Sequence, residues 1–339
     1  MFTFFPAKEK FIFLFFQTIL SLLSRFFQNK NIQIGLSFRP ITATHTSPRM
    51  TKIFTEWSLI WHGKITDGEH LAWLINEIKR VKLNQPNLQI IISTYMDEYS
   101  RRLIGEFKDS DFQMAYCEDV GTLEEPLPKS ICQQIETFNS GLQLVNPNRK
   151  VVKLRLDQTL NNSHFISIFD FYSKTFNNQD NTRIFTTSFN TFRHRACSPS
   201  DMLMFGDFTS MSRYWAKITP KEYLEAFASL NNNYRDPLYG QFVVPEVFLA
   251  CKYLEKLGLL QQSSKSSHFE LFSNHIGIVD SQEIGFSWYK FKCPIVNNFH
   301  SINPFFSNYS EKSTELTHLD WLIQFVWHKN EIDLFETIL

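Results

Sequence analysis

Residues 88–94 read LQIIIST, and this short run decides the fold class. Its apolar residues are contiguous instead of alternating with polar ones, which is typical of a strand buried on both faces. Pro86, just before the run, ends a segment that Asp67 can cap as a helix. The apolar positions of that segment follow the 3.6-residue helical period: Leu71, Leu74, Ile75, Ile78 and Val81. A helix followed by a fully apolar strand indicates a parallel sheet covered by helices.

The same alternation continues on both sides of this run. Further strands are predicted at WSLIW (57–61), FQMAYCED (112–119), KVVKLRLD (150–157) and RIFTTS (183–188). Helical patterns lie between them, near 98–107, 131–145 and 165–172. We therefore predict an α/β fold with a doubly wound, mostly parallel sheet.

The chain beyond residue 190 is less regular. It contains the basic loop FRHRACSPSD (192–201), a β-prone run at 202–205 and helical patterns near 220–230 and 245–257. QQSSKSS at 261–267 is predicted to be a polar surface loop. This half is predicted to be an irregular α+β region of the same domain.

Composition excludes several classes of protein. The 339 residues are 43% hydrophobic, enough to bury a large core. Lys+Arg and Asp+Glu are both 34, which argues against a dedicated nucleic-acid-coating protein. The five cysteines are widely spaced and form no C-x-x-C motif: Cys117, Cys132, Cys197, Cys251 and Cys293. We interpret them as reduced thiols of a cytoplasmic protein.

Residues 1–50 differ from the rest, with six Lys or Arg and one Glu. The run FIFLFFQTILSLLS (11–24) would span about 21 Å as a helix, less than the hydrocarbon core of about 30 Å. Gln17, Ser21, Ser24 and Gln28 share one helical face opposite a Phe/Leu face. Residues 11–27 are therefore predicted to contact a membrane surface, making the protein peripheral at the inner membrane. The alternative is that residues 1–49 are a dispensable tail ending in a polar linker.

Common catalytic motifs are absent from the sequence. There is no P-loop, no G-x-G-x-x-G after a strand, no H-E-x-x-H and no G-x-S-x-G. With 11 glycines, a Gly-rich phosphate cradle is not expected. Any bound phosphate would have to be neutralised by side chains or by a metal ion.

The run KLRLD at 153–157 carries the strongest chemical signal. Strand alternation puts Lys153, Arg155 and Asp157 on one side. A carboxylate at a strand end can hold a divalent cation on a diphosphate, and an adjacent arginine can grip a phosphate with two donors. The alternative is a salt bridge at the strand end. Because ligands of open α/β sheets bind at the carboxyl ends of strands, His62, Gly63, Thr94 and Asp119 join this set.

Six segments in this order resemble the WavE-type lipopolysaccharide synthesis proteins, a bacterial group to which sugar transfer is assigned. They are IIISTYMDE (91–98), EDVG (118–121), SICQQIETFNSGL (130–142), KLRLD (153–157), SPSDMLMFGD (198–207) and VPEVFL (244–249). The resemblance covers about residues 55–295. Two places depart from the family pattern: WHGK at 61–64 stands where the family has Q-G-P, and QQI at 133–135 where it has R-Q-I.

The resemblance implies a GT-A-like fold and transfer of a sugar from a nucleotide-sugar to lipopolysaccharide or another surface glycan. It assigns residues 51–190 to the nucleotide-sugar half and residues 191–339 to the acceptor half, after a 1–50 extension. The expected partners are a nucleotide-sugar donor and a glycan or lipid-linked acceptor, with no nucleic acid. The two departures favour an alternative, a catalytically silent sugar-nucleotide or glycan-binding protein. A third possibility is a structural, membrane-associated protein without a small-molecule site.

The resemblance also suggests roles for single residues. Donor binding falls on His62, Gly63, Thr94, Asp119, Arg155 and Asp157. Either Asp157 holds Mn²⁺ or Mg²⁺, or Arg155 and other cations replace the metal. Asp201 and Glu246 are the expected catalytic bases, although each suits a helix start as well. Arg193, His194 and Arg195 either clamp the diphosphate or form a solvated loop.

Overall fold

The computed structural model describes residues 56–107, 111–119, 131–177, 180, 182–192, 195–219, 221–222, 225, 244–261, 263–289, 293–294 and 315–327. All of them belong to one compact unit, Ile53–Leu339. The membrane-surface segment predicted over 11–27 and most of the helix predicted near 220–230 lie outside the described residues.

A seven-stranded, mostly parallel sheet forms the centre of a mixed α/β fold. Its strand order is β3-β2-β1-β4-β7-β6-β8. The bounds are β1 Trp57–His62, β2 Gln89–Tyr95, β3 Gln113–Cys117, β4 Lys150–Arg155, β6 Ile184–Thr187, β7 Leu203–Asp207 and β8 Ile276–Val279. A second, three-stranded sheet has the order β10-β9-β5, with β5 Gln158–Leu160, β9 Phe286–Trp288 and β10 Cys293–Pro294.

Several helices begin after a residue whose side chain caps the first turn. The helices are α1 Gly68–Asn84, α2 Glu98–Gly105, α3 Ile131–Leu142, α4 Phe165–Thr175, α5 Phe208–Tyr214, α6 Pro245–Lys256, α7 Ser264–Glu270 and α8 His318–Trp321. Asp67 accepts a hydrogen bond from the His70 N–H at 2.8 Å, which confirms the predicted cap of α1. π-helical turns at Leu271–His275 and Leu322–Trp327 continue α7 and α8.

The direction of β7 was not predicted from the sequence. Within the described sheet β7 runs antiparallel to both of its neighbours, β4 and β6, whereas the other pairings are parallel. The chain enters β7 from the edge at which β6 ends, through a loop without a crossover helix, so the two strands must run in opposite directions. As a result, the loop before β7 lies at the carboxyl edge of the parallel strands.

The prediction of a surface loop at 261–267 is wrong. Helix α7 begins at Ser264, inside this stretch, and Ser263 caps it by accepting from the Ser266 N–H at 3.4 Å. Ser267 is fully buried, and its hydroxyl accepts from the Gln261 N–H at 2.9 Å. The polar composition therefore reflects a capped and partly buried helix start, because these hydroxyls bond to backbone groups.

The core fills both faces of the main sheet. Trp57, Trp61 and Phe205 are fully buried. The ring of Phe205 stacks on Phe169 with centroids 4.1 Å apart, and on Phe185 at 5.2 Å. These contacts pack α4 against β6 and β7 of the sheet. Among the described residues, no helix is both long and apolar enough to cross a bilayer.

Gly141 lets α3 lie directly on the sheet, and this closeness is testable. A Cβ at Gly141 would lie 2.6 Å from Ile60 Cγ2 and 3.1 Å from Ser93 Cβ. We expect Gly141→Ala to lower the free energy of unfolding by about 1–3 kcal/mol, because overpacking outweighs the gain in helix propensity. Urea denaturation would measure the change.

Gly105→Ala is the matched control. Gly105 also lies in a helix, but a Cβ there meets nothing within 4 Å. The control should be neutral, or stabilising by up to about 1 kcal/mol. Equal stability of Gly141→Ala and Gly105→Ala would contradict this close packing.

Candidate functional site

The topology places a switch point between β1 and β4, and open α/β sheets bind ligands in a crevice at such a point. From β1 the chain winds outward through β2 and β3, and it then returns to the other side of β1 to form β4. His62 at the end of β1 pairs with Arg155 at the end of β4. Since helical connections leave these two strands in opposite directions, a ligand can enter at their carboxyl ends.

Arg155 and Asp157 form a two-pronged ion pair at this point. Arg155 Nε donates to Asp157 Oδ1 at 3.0 Å, and Nη2 donates to Oδ2 at 2.8 Å. Trp288 of the small sheet donates its Nε1–H to Asp157 Oδ2 at 2.7 Å, and the guanidinium lies 5.2 Å from its ring centroid. β4 ends at Arg155, so the strand predicted over 150–157 is two residues too long and Asp157 lies in the turn that follows. The turn still brings Asp157 to Arg155 in one cluster. Its third member, Trp288, is 131 residues away in sequence, and no local signal indicated it.

These bonds bear on the expected divalent cation. Both Asp157 carboxylate oxygens accept hydrogen bonds, and the neighbouring charge is already a guanidinium cation. In the described part of the chain, no group of three His, Cys, Asp or Glu side chains could hold a metal ion. The residues around Asp157 therefore do not fit a cation site, and the geometry favours the alternative in which Arg155 supplies the positive charge.

Gly63 and His62 stand at the end of β1. Gly63 has φ +129°, a conformation that side-chain-bearing residues rarely adopt, and its N–H donates to the Ser93 carbonyl at 3.0 Å. The His62 ring is buried under α3, where its Nδ1 contacts Thr137 Oγ1 at 2.9 Å. Burial, together with the charges of Lys153 and Arg155, holds the pKa of His62 well below its usual range. His62 is therefore a neutral core residue beneath the crevice.

Thr94 and Asp119 lie on the side of β2 and β3. Thr94 is fully buried, and its carbonyl accepts from the Cys117 thiol at 3.6 Å. Asp119 is exposed and accepts from Gln133 Nε2 at 2.8 Å. Gln133 is one of the residues that depart from the family pattern. Asp119 follows β3, three strands from β4, so it stands about 14 Å from Arg155 along the edge at a strand spacing of about 4.8 Å.

Asp201 reaches the same edge because β7 begins there. Leu203, the first residue of β7, pairs with Leu154 of β4. The backbone carbonyl of the buried Asp201 accepts a hydrogen bond from the Lys153 ammonium. The two expected halves of the site therefore meet between β4 and β7.

Lys153 is an amine with no exposed surface in the middle of the sheet. Its Nζ lies 4.1 Å from the ring centroid of Trp215, a cation–π contact. Burial lowers the pKa of Lys153 to about 7, and the nearby Asp201 charge opposes this shift. The sequence showed Lys153 beside Arg155 but gave it no role, because burial of an amine cannot be read from strand alternation.

Glu246 is the second buried carboxylate of this group. It stands in the first turn of α6 after Pro245, and Oε1 accepts from Asn190 Nδ2 at 2.9 Å. Burial and the Asp201 charge raise the pKa of Glu246, while Arg195, Asn190 and a backbone N–H oppose the rise. A carboxylate held in this way is suited to accepting a proton near neutral pH.

The basic loop at 192–201 is only partly described. Arg193 and His194 lie outside the described residues. Arg195 is buried, with its guanidinium 5.1 Å from the ring centroid of Phe192. Arg195 is therefore not the solvated loop residue considered from the sequence, and its charge acts on Glu246.

A groove of about 480 Å³ lies at the opposite, amino edge of the sheet. Gln89, Gln113 and Arg149, which line it, stand at or just before the starts of β2, β3 and β4. None of the residues predicted from the sequence lines this groove, so we do not assign it to the same site.

Comparisons with known proteins give little further information. No family model and no curated protein matches the chain. One solved structure that is similar is the crystal structure of S. aureus TarS 1-349 in complex with UDP-GlcNAc, with a TM-score of 0.34 and 8% identity. The match covers 66% of this chain and 56% of that chain. So low a TM-score and identity carry no argument about function, and the resemblance to WavE-type proteins stays a prediction.

Replacing Asp157 tests the ion pair. We expect Asp157→Asn to lower the free energy of unfolding by about 1–3 kcal/mol, since all three donors lose a charged acceptor and at least one of them meets an amide NH₂ instead of an oxygen. The control is Glu255→Gln, which breaks a pair between Lys252 and an exposed carboxylate and should cost about 0–1 kcal/mol. Urea denaturation compares the two. An Asp157→Asn variant as stable as the control would show that the pair does not hold the strand end.

The buried amine predicts a distinct dependence of stability on pH. Between pH 7 and about 10 the unfolded chain keeps the Lys153 proton and the folded chain releases it, so this residue makes stability rise with pH. Lys153→Met should remove this rise, which is about 1.4 kcal/mol per pH unit for one proton. Parallel pH-dependent slopes for wild type and Lys153→Met in denaturant titrations would refute the assignment. Lys174→Met, on the exposed surface of α4, should leave the slope unchanged.

Proposed function

We propose that the chain is a nucleotide-sugar-dependent glycosyltransferase with a GT-A-like sheet, acting on lipopolysaccharide or another surface glycan. The observation that carries the proposal is the arrangement between β4 and β7. Arg155 ends β4 at the topological switch point, and the charges of two buried carboxylates, Asp201 and Glu246, act on the buried Lys153.

The order of residues along the edge supports a division of labour. Gly63, Asp119, Arg155 and Asp157 follow β1, β3 and β4, on the side proposed for the donor. Asp201 stands just before β7 and Glu246 in the first turn of α6, on the side proposed for the acceptor. A diphosphate beside Arg155 would then present its sugar toward the carboxylates.

In the proposed reaction, an acceptor hydroxyl oxygen attacks the anomeric carbon of the donor. Glu246 takes the hydroxyl proton, and the bond between the anomeric carbon and the diphosphate oxygen breaks. The leaving nucleoside diphosphate carries the new negative charge. Arg155 offsets this charge with guanidinium hydrogens that are not used on Asp157.

Binding is the first test of the donor. A thermal-shift panel of UDP-, GDP-, CMP- and dTDP-sugars, each with and without Mn²⁺, should show stabilisation by one nucleotide class. At a hundredfold excess over Kd the gain is about 2.7 kcal/mol. We expect Arg155→Lys to weaken this binding strongly, because lysine keeps the charge but lacks the planar guanidinium that donates two hydrogen bonds at once. Absence of a shift with every donor would refute the donor site.

Hydrolysis of the donor is the second test. With the donor that binds, we expect slow hydrolysis without acceptor and a loss of about 10²–10⁴-fold in Glu246→Gln, because the proton acceptor is removed. Glu255→Gln is the control, on the same helix but exposed. Donor affinity should be unchanged in both variants. Donor binding without any hydrolysis or transfer would instead support the catalytically silent binding protein.

A further inference from the structure

Asn190 occupies an unusual backbone position in the turn that follows β6. Its φ is +65°, in the left-handed region, where asparagine is tolerated better than most residues other than glycine. Such conformations persist where the surrounding structure fixes them, and they cluster at functional sites. The turn stands at the carboxyl edge of the sheet, beside both buried carboxylates.

Several bonds fix this turn in place. The Asn190 N–H donates to Glu315 Oε1 at 3.1 Å, and the Leu316 N–H donates to the Thr191 carbonyl at 2.7 Å. The Thr191 hydroxyl donates to the Thr187 carbonyl at 2.8 Å. The chain segment around Glu315 therefore holds the backbone of Asn190 from outside the sheet.

The same turn contacts the segments that carry both carboxylates. The Asn190 side chain donates from Nδ2 to Glu246 Oε1 at 2.9 Å. The Thr191 hydroxyl accepts from the Ser200 N–H at 2.9 Å, next to Asp201. Two adjacent residues of one turn thus set the position of α6 and of the loop before β7.

We propose that Asn190 is a positioning residue for Glu246: its amide orients the Glu246 carboxylate as a hydrogen-bond acceptor, and Glu315 holds Asn190 in the backbone conformation that this bond requires. The inference rests on the proposed function and adds to it, because it explains how the carboxylate of Glu246, the proposed base, is oriented. Glycine adopts the left-handed conformation without steric cost, but it has no side chain. A glycine at this position would therefore keep the backbone and lose the hydrogen bond to Glu246.

The electrostatic surroundings of Glu246 give this bond a measurable consequence. The charged and titratable groups acting on Glu246 come from three elements: Lys153 of β4, Arg195 and Asp201 of the loop between β6 and β7, and Tyr214 of α5. A donor to the carboxylate favours its charged form. Losing that donor should therefore raise the pH at which Glu246 gives up its proton.

Asn190→Gly is the principal variant, because it keeps the backbone and removes the amide. The Glu246 protonation midpoint can be followed without any substrate, by infrared difference spectra of the carboxyl band assigned with Glu246→Gln. We expect Asn190→Gly to raise this midpoint by about one pH unit while the melting temperature stays near that of wild type. Donor hydrolysis at pH 7 should fall about tenfold, and its pH profile should move upward with unchanged donor affinity.

Two further variants keep the outcome decisive. Asn274→Ala removes a similar Asn–Glu hydrogen bond, to Glu270, outside the site and should leave the Glu246 midpoint unchanged. If Asn190→Gly does not fold, Asn190→Asp retains the side-chain shape and should raise the midpoint by replacing the donor with an acceptor. A wild-type midpoint in a folded Asn190 variant would overturn the inference. A raised midpoint in a protein that neither binds nor hydrolyses any donor would support the role of Asn190 and refute the proposed function.

Discussion

The burial of the Lys153 amine constrains the rest of the edge. An ammonium without exposed surface needs acceptors and a polarizable neighbour, because transfer of a charge from water is costly. The Asp201 carbonyl and the Trp215 ring supply these contacts. The Asp201 contact requires the loop before β7 to lie against β4, and it brings Asp201 to the end of the parallel strands. The antiparallel direction of β7 and the polar centre of the site are thus parts of one arrangement.

Two groups of charged residues at this edge differ in exposure. Arg155 and Asp157 remain partly exposed, and their bidentate geometry holds the end of β4 against the small sheet through Trp288. Asp201 and Glu246 are buried, and in this poorly screened environment burial and the Asp201 charge raise the pKa of Glu246. The partly exposed pair is able to contact a charged ligand, whereas Glu246 is suited to accepting a proton near neutral pH.

The turn after β6 links the buried carboxylates to the segment around Glu315. Its backbone is fixed by Glu315, whose own carboxyl pKa is raised to about 7 by burial. Asn190 in turn bonds to Glu246 of α6, and Thr191 bonds to Ser200 of the loop before β7. Lys153 and Glu246 thus stand on a strand and a helix, whereas Asp201 stands on the loop before β7, where the Thr191 hydroxyl accepts from the Ser200 N–H.

The sequence by itself determined the first half of the fold and placed Arg155 at a strand end. Contiguous apolar strands such as LQIIIST, separated by helices of 3.6-residue period, require a parallel sheet, and the carboxyl ends of such strands share one edge. The two-residue period of a strand put Lys153 and Arg155 on one side of β4, whereas Asp157 lies in the turn beyond the strand. Only the tertiary structure decided that Trp288 engages Asp157, that β7 reverses, and that Asn190 meets Glu246. These contacts join residues far apart in the chain, and no local periodicity encodes which distant side chain will fill a given place.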